Sequence, residues 1–210
     1  MSRAKIVLAT SNRGKLREIE QELAGLSVAI LSLEEIGSKA GVEEKGRTFR
    51  ENARLKAIAY SLESEHLTLA EDSGLEVGHL GGAPGIFSAR FSAPRPTDEK
   101  NNRKLLRMLR DVPESERGAR YVCHMVLAKG GRVIKETRGE VRGRIAASPK
   151  GEGGFGYDPI FFYAPFGRTF GELSPETKNS VSHRDRALAK MRTFLADYLH
   201  SPSPSPKKEK

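Results

Sequence analysis

Residues 4 to 15 read AKIVLATSNRGK, an apolar run of β-forming residues that gives way at Ser11-Asn12 to a helical pattern of Leu16, Ile19, Leu23 and Leu26. A strand, a tight turn and an amphipathic helix in that order open an α/β fold. Working outward, Val28 to Leu31 supplies a second short strand. Thr48 and Glu51 have the spacing of a capping box, and Leu55, Ile58, Ala59 and Leu62 mark the expected apolar face of the helix that begins there. His66 to Ala70 reads as a buried strand ending at Glu71-Asp72-Ser73-Gly74. A Gly/Pro-rich connector, GHLGGAPG, then leads to a charged helix from about Asp98 to Arg110. Residues 120 to 128 are apolar on both faces apart from Arg120 and His124, as in an interior strand. Residues 132 to 145 alternate instead, with Arg132, Glu136, Arg138, Glu140, Arg142 and Arg144 on one side and Val133, Val141 and Ile145 on the other. The loop GEGGFGYDP feeds a short apolar run, Ile160 to Tyr163. A last helix opens at Ser182, with Asp185 three residues on, and carries Ala187, Leu188, Met191, Phe194, Leu195 and Tyr198 on one face.

The 210 residues suit one domain over 1–200, followed by SPSPSPKKEK at 201–210, a Ser-Pro repeat with a basic end that is expected to be disordered. Hydrophobic residues at 37% and charged residues at 30% supply a core and exclude global disorder. The single cysteine, Cys123, makes neither an internal disulfide nor a zinc knuckle, which points to a reducing, cytoplasmic setting. The opening MSRAKIVLATSNRGK meets charge too soon for a signal peptide or a membrane span. Lys+Arg at 36 against Asp+Glu at 27 leaves a formal +9, which suits nucleic acid, a phosphorylated small molecule or a solvated surface alike.

Five clusters carry candidate chemistry. Thr10, Ser11, Asn12, Arg13, Gly14 and Lys15 lie on a strand-to-helix turn, where unpaired N–H groups favour an anion and two cations would otherwise be unfavourable. The Walker A pattern is absent, because Ala9 and Leu16 stand where it needs Gly and Ser or Thr. The pair Glu71-Asp72, with Ser73, offers hard oxygen ligands of the kind Mg2+ takes, or else a solvated turn. Thr48, Asn52 and Lys56 recur at helical spacing as a polar stripe, preceded by Glu43-Glu44. In Gly153 to Pro159, glycines flank aromatic rings, so that Phe155 or Tyr157 can stack on a flat ligand or pack in a core. Lys178, Ser182, His183 and Arg184 offer donors for carbonyl or phosphate oxygens. Ser182 and His183 make no hydrolase triad, since no G-x-S-x-G elbow occurs.

In order along the chain stand TSNRGK, E-x-G-x-T-F-x-x-N-A (Glu44 to Ala53), EDSGL (Glu71 to Leu75), GGAPGIFSAR (Gly81 to Arg90), GGFGYDPIF (Gly153 to Phe161) and SHR (Ser182 to Arg184). Across residues 4 to 199 this series closely resembles the inosine triphosphate pyrophosphatase family, enzymes of noncanonical purine nucleotides. The resemblance implies an elongated α/β fold, with a mixed central sheet, flanking helices and two lobes around a nucleotide cleft. It further implies a homodimer that uses Mg2+ to cleave dITP, ITP and XTP to the monophosphate and pyrophosphate. By the same resemblance Thr10 to Lys15 hold the triphosphate, Asp72 is the catalytic acid residue and a metal ligand, and Ser73 touches the substrate. Lys56 joins Asp72 in the catalytic set, and Glu44 is the second metal ligand. Phe155, Gly156, Tyr157, Asp158, Lys178, His183 and Arg184 bind the nucleoside end.

Two other readings compete. A nucleic-acid binding module would use the basic excess, but the Lys and Arg residues are spread through the chain without an RNP, zinc-finger or helix-turn-helix pattern. A pyrophosphatase for modified pyrimidine triphosphates is the closer rival, and the FGYDP and SHR wording favours the purine reading over it. The expected partner is therefore a small nucleoside triphosphate, with neither nucleic acid nor membrane.

Overall fold

A computed structural model describes residues 3–38 and 41–200, so the expected disorder of 201–210 lies outside the described residues. Strand β1 (Ala4–Leu8) is followed by helix α1 (Arg13–Leu23), strand β2 (Val28–Leu31) and helix α2 (Phe49–Leu62). Strand β3 (Leu67–Val77), helix α3 (Asp98–Met108) and the long strands β4 (Gly118–Lys129) and β5 (Arg132–Ile145) come next. Short strands β6 (Phe161–Tyr163) and β7 (Arg168–Thr169) lead to helices α4 (Pro175–Asn179) and α5 (His183–His200). The seven strands form one mixed sheet in the order β2-β1-β3-β4-β5-β6-β7. β1 pairs in parallel with β2 and β3, and every later pairing is antiparallel. The division into two lobes remains an implication of the resemblance.

Side-chain caps set the helix starts. Asn12 Oδ1 accepts from the Lys15 amide over 3.1 Å, Thr48 Oγ1 from the Glu51 amide over 3.1 Å and Thr97 Oγ1 from the Lys100 amide over 3.2 Å. The box at α2 is only half made, because the Glu51 carboxylate accepts from the Arg47 amide at 2.6 Å and not from Thr48. Ser182 Oγ accepts from the Asp185 amide over 3.0 Å at the start of α5.

Three expectations need correction. Glu71-Asp72 does not end its strand: β3 continues to Val77, because β4 runs antiparallel beside it as far as the Val77–Ala119 rung. β1 leaves β3 after the Leu8–Leu69 rung, so the two acids sit inside β3 just past the end of β1. Second, α2 does not bury Leu55 and Leu62, which are 40% and 68% exposed. It buries Phe49, Ala53, Ala57 and Tyr60, since small alanines let the helix lie close on the sheet. Third, α3 stops at Met108, where Leu109 caps it short of Arg110.

Alternation along β3 and β4 divides the core between the sheet's faces. Leu67, Leu69, Cys123, Met125 and Leu127 pack with Ile19 and Leu23 of α1 and Leu188, Met191 and Leu195 of α5. Ala70, Val126 and Ala128 meet Ala53, Ala57 and Tyr60 of α2 on the opposite face. Farther along the sheet, Leu75, Leu105, Tyr121, Phe161 and Phe170 form a third cluster.

Candidate active site

Because β3 alternates, Glu71 and Ser73 project toward α1 and α5, while Asp72 projects toward α2. Glu71 is buried, and Lys15 Nζ lies 2.8 Å from its Oε1. Arg184 donates to the same carboxylate through Nε at 3.1 Å and Nη2 at 3.2 Å, and Cys123 Sγ donates to Oε2 at 3.0 Å. Burial opposes ionisation of Glu71, but Arg184 and Lys15 outweigh it and hold the carboxyl well below the usual carboxylate range. Arg184 Nη2 also donates to Ser73 Oγ over 3.2 Å.

Asp72 has the opposite balance. Burial raises its pKa despite the nearby Lys56 and Lys15. Asn52 Nδ2 donates to Asp72 Oδ2 over 3.1 Å, and Lys56 Nζ lies 3.5 Å from Oδ1. Asn52 Oδ1 in turn accepts from the Gly46 amide at 2.8 Å, so one carboxamide ties the acidic loop to the acid on β3. Lys56 Nζ donates to Glu44 Oε1 at 2.7 Å, and Arg90 Nη1 stands 3.8 Å from Oε2. Burial disfavours the Lys56 ammonium, yet Asp72 and Glu44 more than offset it, so Lys56 stays charged.

A second network forms the far wall. Lys178 Nζ lies 2.7 Å from Asp158 Oδ2 and 3.0 Å from Glu18 Oε1, and Arg184 pairs with the other oxygen of Glu18. Burial raises the Asp158 pKa against the pull of Lys178. The Phe155 amide and Tyr121 hydroxyl both donate to this carboxylate. The Lys178 ammonium sits 4.5 Å from the Phe155 ring centroid, and the Arg184 guanidinium carbon 5.6 Å from it. His183 stacks on Tyr121 with centroids 4.7 Å apart, and its Nδ1 has no partner among the described residues. Burial and the neighbouring Arg184 hold its pKa well below that of free imidazole, so the ring is neutral near pH 7.

These walls enclose a cavity of about 430 Å3 at the N-terminus of α1. It is lined by every site residue the resemblance implies except Arg13 and Gly14, while Glu43, Thr48, Asn52, Glu71 and Ser182 of the candidate clusters do not line it. Arg13 lines an adjoining hollow that shares Thr10, Ser11, Glu44 and Lys56. Gly14 makes a packing contact, since a Cβ there would lie 3.0 Å from the Phe155 ring. Tyr157, a candidate for stacking, is buried and donates its hydroxyl to the Ser88 carbonyl at 2.8 Å. Phe155, half-buried in the cavity wall, is the ring placed to meet a flat ligand.

Sequence reasoning passed over Glu18, Arg90, Asp98 and Tyr121. Glu18 follows Lys15 by one helical turn, the one signal that would have flagged it. Arg90 ends the GGAPGIFSAR motif, whereas Asp98 and Tyr121 stand outside all six motifs.

Among the described residues no group of three or more His, Cys, Asp or Glu gathers into a metal cage. Mg2+ needs none, because it binds through one or two carboxylates and completes its shell with water and phosphate oxygens. Glu44 and Asp72, converging on the Lys56 ammonium at the cavity wall, fit that demand.

A mixed α/β sheet with a helix N-terminus, buried cations and converging carboxylates around one cavity defines a site for a phosphate-bearing small molecule. The Ham1 family model matches residues 6–194, and the chain belongs to the Ham1 family. A relative from Geobacter sulfurreducens, named dITP/XTP pyrophosphatase, is 48% identical over 191 residues, covering 91% of this chain and 96% of its own. One of the same name from Desulforamulus reducens is 44% identical over 197 residues, covering 93% and 98%. The solved structure of a HAM1 protein from Coxiella burnetii superposes with a TM-score of 0.85 at 37% identity, covering 92% of this chain and 99% of that one.

Proposed function

We propose that this protein hydrolyses noncanonical purine nucleoside triphosphates, dITP, ITP and XTP, to the monophosphate and pyrophosphate with Mg2+, and so removes them from the nucleotide pool. A Ham1 chain with relatives named dITP/XTP pyrophosphatase over nearly their whole length is a nucleoside triphosphate pyrophosphatase, a hydrolase of phosphorus anhydrides. The observation that carries the mechanism is Asp72, a carboxylate made more basic than usual, in one cavity with Lys15, Lys56 and the α1 N-terminus.

Cleavage between the α and β phosphates forms a bond from water oxygen to the α phosphorus and breaks the bridging bond, releasing pyrophosphate. In this reading Asp72 takes the proton of that water, supported by the burial that makes its metal-free carboxylate more basic than usual, or holds Mg2+ beside it. Lys15, Lys56 and the α1 amides offset the charge that grows on the leaving group. Mg2+, when held by Glu44 and Asp72, supplies further neutralisation of the phosphates. Lys178 and Arg184 present donors beside Phe155, which suits the 6-oxo edge of hypoxanthine or xanthine and opposes the 6-amino group of adenine. A site built on such hydrogen bonds discriminates by about 10⁴ or more.

The resemblance further supports a homodimer acting in the cytoplasm, with neither nucleic acid nor membrane as partner. No helix among the described residues is long and apolar enough to cross a membrane. Against a phosphate-binding stripe, many surface arginines are already paired: Arg120 with Glu76, Arg138 and Arg142 with Glu140, Arg144 with Glu114. Pyrophosphate release from ITP, XTP, GTP, ATP and dUTP, with Mg2+ and with a chelator, tests the reading. ITP and XTP should lead, and the chelator should stop turnover. Faster hydrolysis of dUTP, or no turnover with salt-sensitive DNA or RNA binding, would reverse it.

A further inference from the structure

The loop that carries Phe155 turns on glycines. Gly151, Gly154 and Gly156 all take positive φ, at 76°, 75° and 64°, and glycine-rich backbone loses the most conformational freedom on ordering. Two side chains one turn apart on α3 oppose this. Asp98 Oδ2 accepts from the Gly156 amide at 2.7 Å, and Asn102 Nδ2 donates to the Gly156 carbonyl at 3.0 Å. Both main-chain groups of one glycine are thus held by the same helix. Asn102 is buried with its own Oδ1 unpartnered among the described residues, a cost its bond to the loop offsets. Helix α3 is itself anchored by the Thr97 cap and by the buried Leu105.

We propose that Asp98 and Asn102 are positioning residues that clamp the Gly156 peptide and thereby preset the Phe155 ring and the Asp158–Lys178 pair for the nucleobase. The proposal rests on the nucleotide reading above and deepens it. The two side chains bond to Gly156 and, among the described residues, to none of Thr10 to Lys15. Loss of the clamp weakens capture of a nucleotide and leaves recognition of a bare pyrophosphate intact.

The test is steady-state hydrolysis of ITP, with inorganic pyrophosphate as the inhibitor that lacks a base. Asp98→Ala and Asn102→Ala should each raise KM about tenfold, the effect of losing one strong hydrogen bond, with kcat changed less than about threefold. The inhibition constant of pyrophosphate should stay at the wild-type value. Asp98→Asn, which keeps an acceptor, should recover most of the KM. Glu99→Ala, which removes the neighbouring first-turn charge without touching the loop, should behave as wild type. An unchanged KM in both alanine variants, or KM and the pyrophosphate constant rising together, would overturn the clamp. A wild-type protein that hydrolyses no triphosphate would instead overturn the nucleotide reading itself.

Discussion

Glu71 and Asp72 are neighbours in the chain, yet they project from opposite faces of β3 and their surroundings push their acidities apart. Glu71 is locked ionised between Arg184 and Lys15, whereas Asp72 is held basic by burial. In the proposed mechanism such a separation divides the labour between adjacent carboxyls: Glu71 holds the architecture and Asp72 handles the proton.

Replacing Asp72 with Asn removes the proton acceptor and keeps the shape. Turnover of ITP should fall by about 10² to 10⁴, the span of general base catalysis. Nucleotide affinity, measured by calorimetry, should change far less. Near-normal turnover would take Asp72 out of the mechanism.

The pH dependence follows from the same residue. Asp72 must be ionised to accept a proton, and its pKa is raised above the ordinary 3.8. Without Mg2+ the Asp72 carboxyl, followed by NMR titration of wild type against Asp72→Asn, should therefore lose its proton above that value, and Mg2+ bound to it should shift the titration down. A metal-free titration at or below 3.8 would contradict the burial argument.

Glu71→Gln leaves the buried Arg184 guanidinium without its principal partner and should cost about 3 kcal/mol of stability at pH 7. With a folded pKa below the unfolded one, Glu71 contributes its full stabilisation above the ordinary 4.5 and loses it as pH falls below that value toward the folded pKa. Urea unfolding of wild type and variant should converge as pH is lowered through this window. A gap that persists at low pH would mean the effect is not the charge.

Gly139 on β5 lies under the start of α5. A Cβ there would stand 2.1 Å from the His183 carbonyl oxygen and 2.5 Å from the Ala187 amide nitrogen, both backbone atoms that cannot rotate away. Gly139→Ala should destabilise by about 3 kcal/mol, the upper end for overpacking. Because the displaced turn carries His183 and Arg184, KM for ITP should rise as well. A variant with wild-type melting temperature and KM would show that α5 can shift freely.

Local physics was legible in the amino-acid sequence. The strand-turn-helix of residues 4 to 23, the caps at Thr48 and Ser182, and the alternation of β5 depend on neighbours within a few residues, and such signals are written directly in residue order. The motif series also named most residues that line the cavity. What the tertiary structure alone decided depends on partners far away in the chain. β3 outruns the expected end at Glu71 because β4, some fifty residues on, is there to pair with it, and that pairing makes the acids alternate across the sheet. The face α2 buries was set by how closely alanines let it approach the sheet, against the pull of its leucines. Glu18 met Lys178 and Arg184, and Asp98 met Gly156, through folding that no local period encodes. Charge balance in a buried site is a sum over such distant pairs, so the sequence named the ionisable groups and the fold decided which of them hold a proton.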